Sequence, residues 1–333
     1  MSIRLYKTLR PGGERHSLRL RLTIDLKTRN CMTSAPPDTP DNKPDPVWLT
    51  VMPGVFVLLW STGFIGAKWG LPYADPFTFL AIRFAIASAL FGLIAILSGA
   101  RWPTTFTEIR DTAVVGILIN ATYLGGVFWA IDQGTPASIA AIITGMQPLL
   151  TAALALPLLG ERLNRIQWAG LLIGFVGLLL VVWKGSDSGP LAGVGATAIA
   201  LIGITLGTFY QKRFGGGNDI RSASCIQQAA AAGVVCALAF TFETRDINWT
   251  GDFVFALSWL VVVLSLGTFS LYYMLIRRGA VSKVASLFYL VPPVVAIDAW
   301  LLFGETLDLR QIAGMVLAAI GVALVTRTRA SGR

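Results

Sequence analysis

The sequence predicts an all-α polytopic membrane protein, with ten transmembrane helices forming two inverted five-helix repeats. Three observations carry that expectation. The 333 residues are 54% hydrophobic and only 14% charged, with a mean hydropathy of +0.66. A water-soluble domain carries about 25% charged residues. Apolar runs of bilayer length recur between short polar connections, and the second half of the chain repeats part of the first.

A hydrocarbon core about 30 Å thick takes about 20 apolar residues of helix. Runs of that kind cover Leu49–Trp69, Phe77–Leu97, Thr112–Ile131, Pro136–Leu159 and Gln167–Trp183. After a Gly, Ser and Asp break come Leu191–Tyr210, Ala223–Phe242, Phe253–Ile276, Ser282–Phe303 and Ile312–Val325. The organisation expected is a basic, disordered N-terminal tail (1–48), a first repeat (49–184), a second repeat (190–327) and a short tail (328–333). The N-terminal tail has eight Lys or Arg in its first 30 residues and no apolar stretch behind them, unlike a secretory signal.

Basic residues orient the helices. With the N-terminus in the cytoplasm, thirteen Lys or Arg fall on the cytoplasmic side beyond the N-terminal tail, among them Arg101, Arg110, Lys212, Arg221 and Arg277. Only Lys184, Arg245 and Arg310 fall opposite. That asymmetry is the positive-inside pattern. It predicts a multi-pass protein of the cytoplasmic (inner) membrane with both termini cytoplasmic, and it accounts for the basic pI without a nucleic-acid partner.

Leu158–Val181 aligns with Leu302–Val325 at an offset of 144, with 10 of 24 positions identical. Chance in an apolar composition gives roughly one match in ten. Five spans per half is an odd number, so the copies enter the membrane in opposite senses, the arrangement of many secondary transporters. The same offset pairs Pro148 with Pro292, each near the middle of the fourth span of its half. A proline frees the carbonyl four residues earlier, and broken helices in hydrocarbon line cavities.

The stretch PASIAAIITGMQPLLTAALALPLLGERLNRIQWAGLLIGFVGLLLVV resembles the EamA-type repeat of the drug/metabolite transporter (DMT) superfamily. SKVASLFYLVPPVVAIDAWLLFGETLDLRQIAGMVLAAIGVALV resembles a second copy, and LLWSTGFIGAKWGLPYADPFTFLAIRF the opening of such proteins. The resemblance spans about residues 49–327. It implies ten helices, a central cavity, and uniport or proton-linked export of amino acids or related metabolites. Asp298 stands where the repeat usually carries an apolar residue.

Ionisable groups inside a bilayer are costly and point to function. Here they are Lys68, Arg83 and Asp298, with Asp132 near a helix end. Two readings stand open: an ion pair of Asp298 with Arg83 or Lys68 that holds helices together, or a surplus cation for a substrate carboxylate with proton exchange at Asp298. Substrate-cavity candidates are Trp60, Ser61, Asn120, Tyr123, Gln147, Tyr210, Ser270, Tyr273 and Tyr289, polar or amphipathic groups within the spans. Glu161 and Glu305 are expected to cap the helices that follow them. Gly170, Gly174 and Gly177, with Gly314, Ala318 and Gly321, form small-residue faces for close helix packing or a dimer contact, so the chain is expected to be a monomer or homodimer.

The lone histidine, His16, lies in the tail, and Cys31, Cys225 and Cys236 have no metal spacing, so no catalytic residue, metal or cofactor is expected. No phosphate-binding loop is present. The expected function is secondary transport of a small metabolite by alternating access. The alternative is a membrane-embedded enzyme or channel without a recognisable motif.

Overall fold

The computed structural model describes residues 47–159, 164–182, 190–278, 284–285, 287–304 and 308–327. The N-terminal tail up to residue 46, Arg162, Lys184, Lys283, Glu161, Glu305 and the C-terminal tail lie outside the described residues. The capping expected of the two glutamates therefore concerns residues that are not described.

Helix α1 (Val47–Gly70) runs through a short 3-10 turn (Leu71–Tyr73) to α2 (Pro76–Leu97). Then come α3 (Phe106–Gly116), a π-helical segment (Ile117–Thr122) and α4 (Tyr123–Asp132) in one continuous rod. The next span is divided into α5 (Ala137–Thr144) and α6 (Gln147–Leu159), followed by α7 (Arg165–Val182). The second half has α8 (Leu191–Phe214), α9 (Ile220–Phe242), then α10 (Gly251–Trp259), a second π-helical segment (Leu260–Thr268) and α11 (Phe269–Arg278). A 3-10 turn (Leu287–Leu290) leads into α12 (Val291–Phe303), and α13 (Leu309–Arg327) ends the described chain. Among the described residues there is no strand, only an isolated bridge between Ala74 and Ile247.

Several helices start earlier than hydropathy alone suggests, because polar caps satisfy their first N–H groups. Thr105 Oγ1 accepts from the Glu108 amide at 3.2 Å while Glu108 accepts from Thr105 N, a reciprocal box that starts α3 well before Thr112. Asn164 and Gln167 make the same exchange at α7, at 2.8 and 2.9 Å. Thr250 caps α10 through the Phe253 amide.

Six helical stretches are long and apolar enough to cross a membrane: Val51–Tyr73, Pro76–Leu97, Phe106–Asp132, Leu191–Phe214, Ile220–Phe242 and Gly251–Arg277. Shorter apolar helices cover Ala137–Ala152, Leu287–Leu302 and Ile312–Gly321.

The helices pack in close pairs. α7 lies along α13, α2 along α9 and α4 along α8, while α1 is held between α10 and α12. The small-residue faces serve the first of these pairs. A Cβ on Gly177 would lie 2.5 Å from the Gly314 carbonyl oxygen, and one on Gly321 would lie 2.5 Å from that of Gly170. Those faces meet within one chain, the close helix packing expected of them.

Hydrogen bonds tie each end of the bundle. At one end Asp111 accepts from Arg110 and from the Tyr210 hydroxyl at 2.9 Å, and Asn218 donates to Thr112 at 3.0 Å. There too Arg277 reaches the Gly215 carbonyl, Lys212 the Ile276 carbonyl and Ser222 the Arg101 carbonyl. Asp219, just ahead of α9, is held below the usual carboxylate range chiefly by hydrogen bonds from the Arg221 guanidinium. The other end is acidic. Glu243, just past α9, accepts from the Phe77 and Thr78 amides and the Thr78 hydroxyl, each at 2.7 Å. Thr244 donates to Asp75, Tyr73 to Asp252, and Asn248 N to the Tyr73 carbonyl.

Candidate functional site

The two π-helical segments create the centre. A π turn widens the helix by one residue and re-aims the side chains that follow, and such turns are frequent at functional sites. The first segment carries Asn120, completely buried, and hands over to Tyr123. The second carries Ser265, also completely buried, and hands over to Phe269, with Tyr272 and Tyr273 one turn on.

Trp60, on α1, is the hub of an aromatic cluster. Its ring centroid lies 5.0 Å from both Phe269 and Phe288, 5.1 Å from Phe56, 5.2 Å from Tyr272 and 6.0 Å from Tyr123. Tilted and edge-on geometries dominate, as ring quadrupoles prefer. The indole N–H of Trp60 donates to the Tyr123 hydroxyl at 3.3 Å. One side of this cluster is polar. Gln147, the first residue of α6, donates to Thr208 on α8 at 3.1 Å, and the Thr208 and Tyr272 hydroxyls are bonded to each other.

On the other side Arg83 of α2 is 1% exposed and donates from Nε to the Ser265 hydroxyl at 3.1 Å. Arg83, Trp60, Tyr123, Phe128, Leu264 and Phe269 line a cavity of about 20 Å³ for water centres, enough for roughly one water molecule. Both amide atoms of Asn120, Gln147 Oε1 and the Tyr273 hydroxyl are buried without a hydrogen-bond partner. Buried polar atoms are normally satisfied; none of these three residues lines that cavity, and the Tyr273 hydroxyl lies within reach of the Asn120 side chain.

The candidates named from the sequence thus separate. Trp60, Asn120, Tyr123, Gln147 and Tyr273 gather near the centre with Arg83. Ser61 is fully buried but donates to the Val57 carbonyl of its own helix, with the Val291 carbonyl at 3.5 Å. Ser270 donates to the Leu266 carbonyl. Tyr210 lies at the basic end on Asp111, outside the centre. Tyr289 packs in a second cluster with Ile139, Ile142 and Leu171, against Gly174. Pro148 and Pro292 are each the second residue of a helix, α6 and α12, where the missing N–H costs nothing. The span breaks therefore fall just before them, and the Pro292 ring packs over Gly145 in the first break.

Asp298 forms no ion pair with Arg83 among the described residues, whereas Arg110 pairs with Asp111 and Arg221 with Asp219. Asp298 is half-buried on α12, next to the exposed Ile297. Thr208 was visible in the sequence as a polar group within a span, but nothing there marked Phe56, Ser265, Tyr272, Phe288 or Glu243 as site or closure residues. Tyr272 could be suspected only from its place beside Tyr273.

The EamA-like transporter family matches residues 52–183 and again 191–327. The chain belongs to that family. It is accordingly an integral membrane protein and a transporter of the drug/metabolite transporter superfamily, with the family's unit present twice. Among relatives, the uncharacterized transporter YvbV of Bacillus subtilis is 28% identical over 82% of this chain and 90% of its own. The uncharacterized inner membrane transporter YedA of Escherichia coli is 25% identical, covering 81% of this chain and 87% of its own. A protein of Salmonella typhimurium named as a probable amino-acid metabolite efflux pump is 26% identical over 80% and 90%. A solved crystal structure shares the fold with a TM-score of 0.66 at 20% identity, covering 83% of this chain and 96% of that one.

Proposed function

We propose that the chain exports a small metabolite, an amino acid or a related compound, across the cytoplasmic membrane by alternating access of two inverted five-helix halves. The observation that carries this reading is the buried aromatic and polar centre, where Gln147 opens a helix just after a break and Asn120 and Tyr273 hold open polar atoms. Such a centre offers apolar walls with a few placed polar groups, the chemistry of a small-molecule site.

Support for ten spans and inverted halves comes from matching boundaries. α6 and α12 begin at Gln147 and Val291 and end at Leu159 and Phe303, 144 residues apart at both ends. α7 and α13 begin at the same separation, and a π-helical segment interrupts the third span of each half. The three shorter apolar helices and α7 then bring the six long helices to ten crossings in this reading. A cytoplasmic position for both termini is supported by the basic end that gathers Arg101, Arg110, Lys212, Arg221 and Arg277. With the small-residue faces engaged internally, the transport unit in this reading is one chain.

Asp298, a half-buried carboxylate on α12 away from the centre, is the proposed group for proton coupling. Outward direction is supported by the name of the Salmonella relative. The test is flux in proteoliposomes with a panel of amino acids and metabolites, with and without an imposed pH gradient. Saturable flux of a subset supports the reading. Flat, non-saturable leak for every solute would sink it.

A further inference from the structure

On the reading that the chain is a carrier, we infer that its solute bears a carboxylate and that the Arg83 guanidinium binds it. A cation inside the membrane is retained where something offsets its lost hydration. Arg83 is 1% exposed, yet the hydrogen bond it makes is to a neutral hydroxyl, Ser265. No carboxylate pairs with it among the described residues. Asp298, the acid that the sequence offered as its partner, is not bonded to it.

The guanidinium lines the central cavity together with Trp60 and Phe269. Ser265 engages Nε, which leaves the two terminal nitrogens as a planar fork that matches two carboxylate oxygens. The Tyr273 hydroxyl and the Asn120 amide, both buried, lie close to each other outside the lining of that cavity. A carboxylate on Arg83 neutralises the charge, and its apolar remainder meets the aromatic wall. A solute carrying only a positive charge meets a like charge there and is rejected.

The test compares acids with their own amides. Full-length protein in nanodiscs is titrated with phenylalanine, leucine and 3-phenylpropionate, and with phenylalaninamide, leucinamide and 3-phenylpropionamide, reading tryptophan fluorescence. The expected result is that acids bind at least tenfold more tightly than their amides. Arg83→Gln is expected to abolish that preference, and Arg83→Lys to keep a reduced one. Equal binding of acids and amides, or a preference that survives Arg83→Gln, overturns the inference. Should Arg83→Gln fail to fold, the wild-type ratio and the Lys variant decide. Proteoliposome flux separates the two levels: saturable flux confined to solutes without a carboxylate overturns this inference alone. Absence of both binding and saturable flux across the panel overturns the carrier reading with it.

Discussion

Glu243 closes the acidic end of the bundle from a distance of 166 residues in sequence, and removing it has a cost that can be worked out. The first N–H groups of α2 have no partner inside the helix. Asp75, the residue ahead of the helix, makes no side-chain cap, and its carboxylate accepts from Thr244 instead. Glu243 supplies the cap, taking Phe77 N, Thr78 N and Thr78 Oγ1 at 2.7 Å each. Loss of a helix cap costs about 1–2 kcal/mol, and a carboxylate at a helix N-terminus adds about 0.3–1 kcal/mol through the dipole. Glu243→Ala therefore weakens this closure by about 1.3–3 kcal/mol, which is roughly 10- to 150-fold in the local opening equilibrium. Hydrogen exchange read by mass spectrometry on peptides covering residues 71–80 measures that opening directly. The expected outcome is faster exchange of the Phe77 and Thr78 amides by that factor, with the α7–α13 pair unaffected. Glu243→Gln keeps one acceptor oxygen and falls between. Unchanged exchange in Glu243→Ala would refute the assignment of Glu243 as the cap that ties α9 to α2.

Three further outcomes follow from the packing and the candidate site. Gly177→Leu forces a side chain into the Gly314 backbone, where even a Cβ lies 2.5 Å from the carbonyl oxygen; it is expected to lower the melting temperature by an amount equivalent to about 1–3 kcal/mol or more, while Gly54→Ala, with nothing within 4 Å, is the silent control. Tyr210→Phe removes the hydroxyl on Asp111, so it should reduce stability by about 1 kcal/mol and leave the KM for solute unchanged; a changed KM would return Tyr210 to the substrate site. Asp298→Asn is expected to abolish accumulation driven by a pH gradient while sparing solute exchange, and survival of that accumulation would make Asp298 structural.

The apolar spans were legible because a bilayer dictates length and composition, and both can be counted along a chain. Their ends were less so, since caps such as Thr105 with Glu108 lie in polar stretches that hydropathy discards. The proline pair marked the two broken spans. What it could not reveal is that each proline opens the second helix of its span, so the break falls just before it. Candidate residues were legible in type but not in facing. Tyr123 and Tyr210 look alike as tyrosines within apolar helices, yet one sits against Trp60 and the other on Asp111 at the basic end. The π-helical segments shift the facing of everything after them, so the sequence could not show that Tyr272, the neighbour of Tyr273, turns toward Trp60. Glu243 was invisible because its partners come from another half of the chain.

Counterflow in proteoliposomes tests most directly whether solute passes through the aromatic centre. Vesicles holding wild-type protein, preloaded with an unlabelled solute of the panel, should accumulate the labelled solute transiently with saturable kinetics. Trp60→Ala, which strips the hub from the cluster, should raise the KM or abolish counterflow. A wild-type protein without counterflow for any solute, or a Trp60→Ala protein with unaltered kinetics, would contradict passage through that centre.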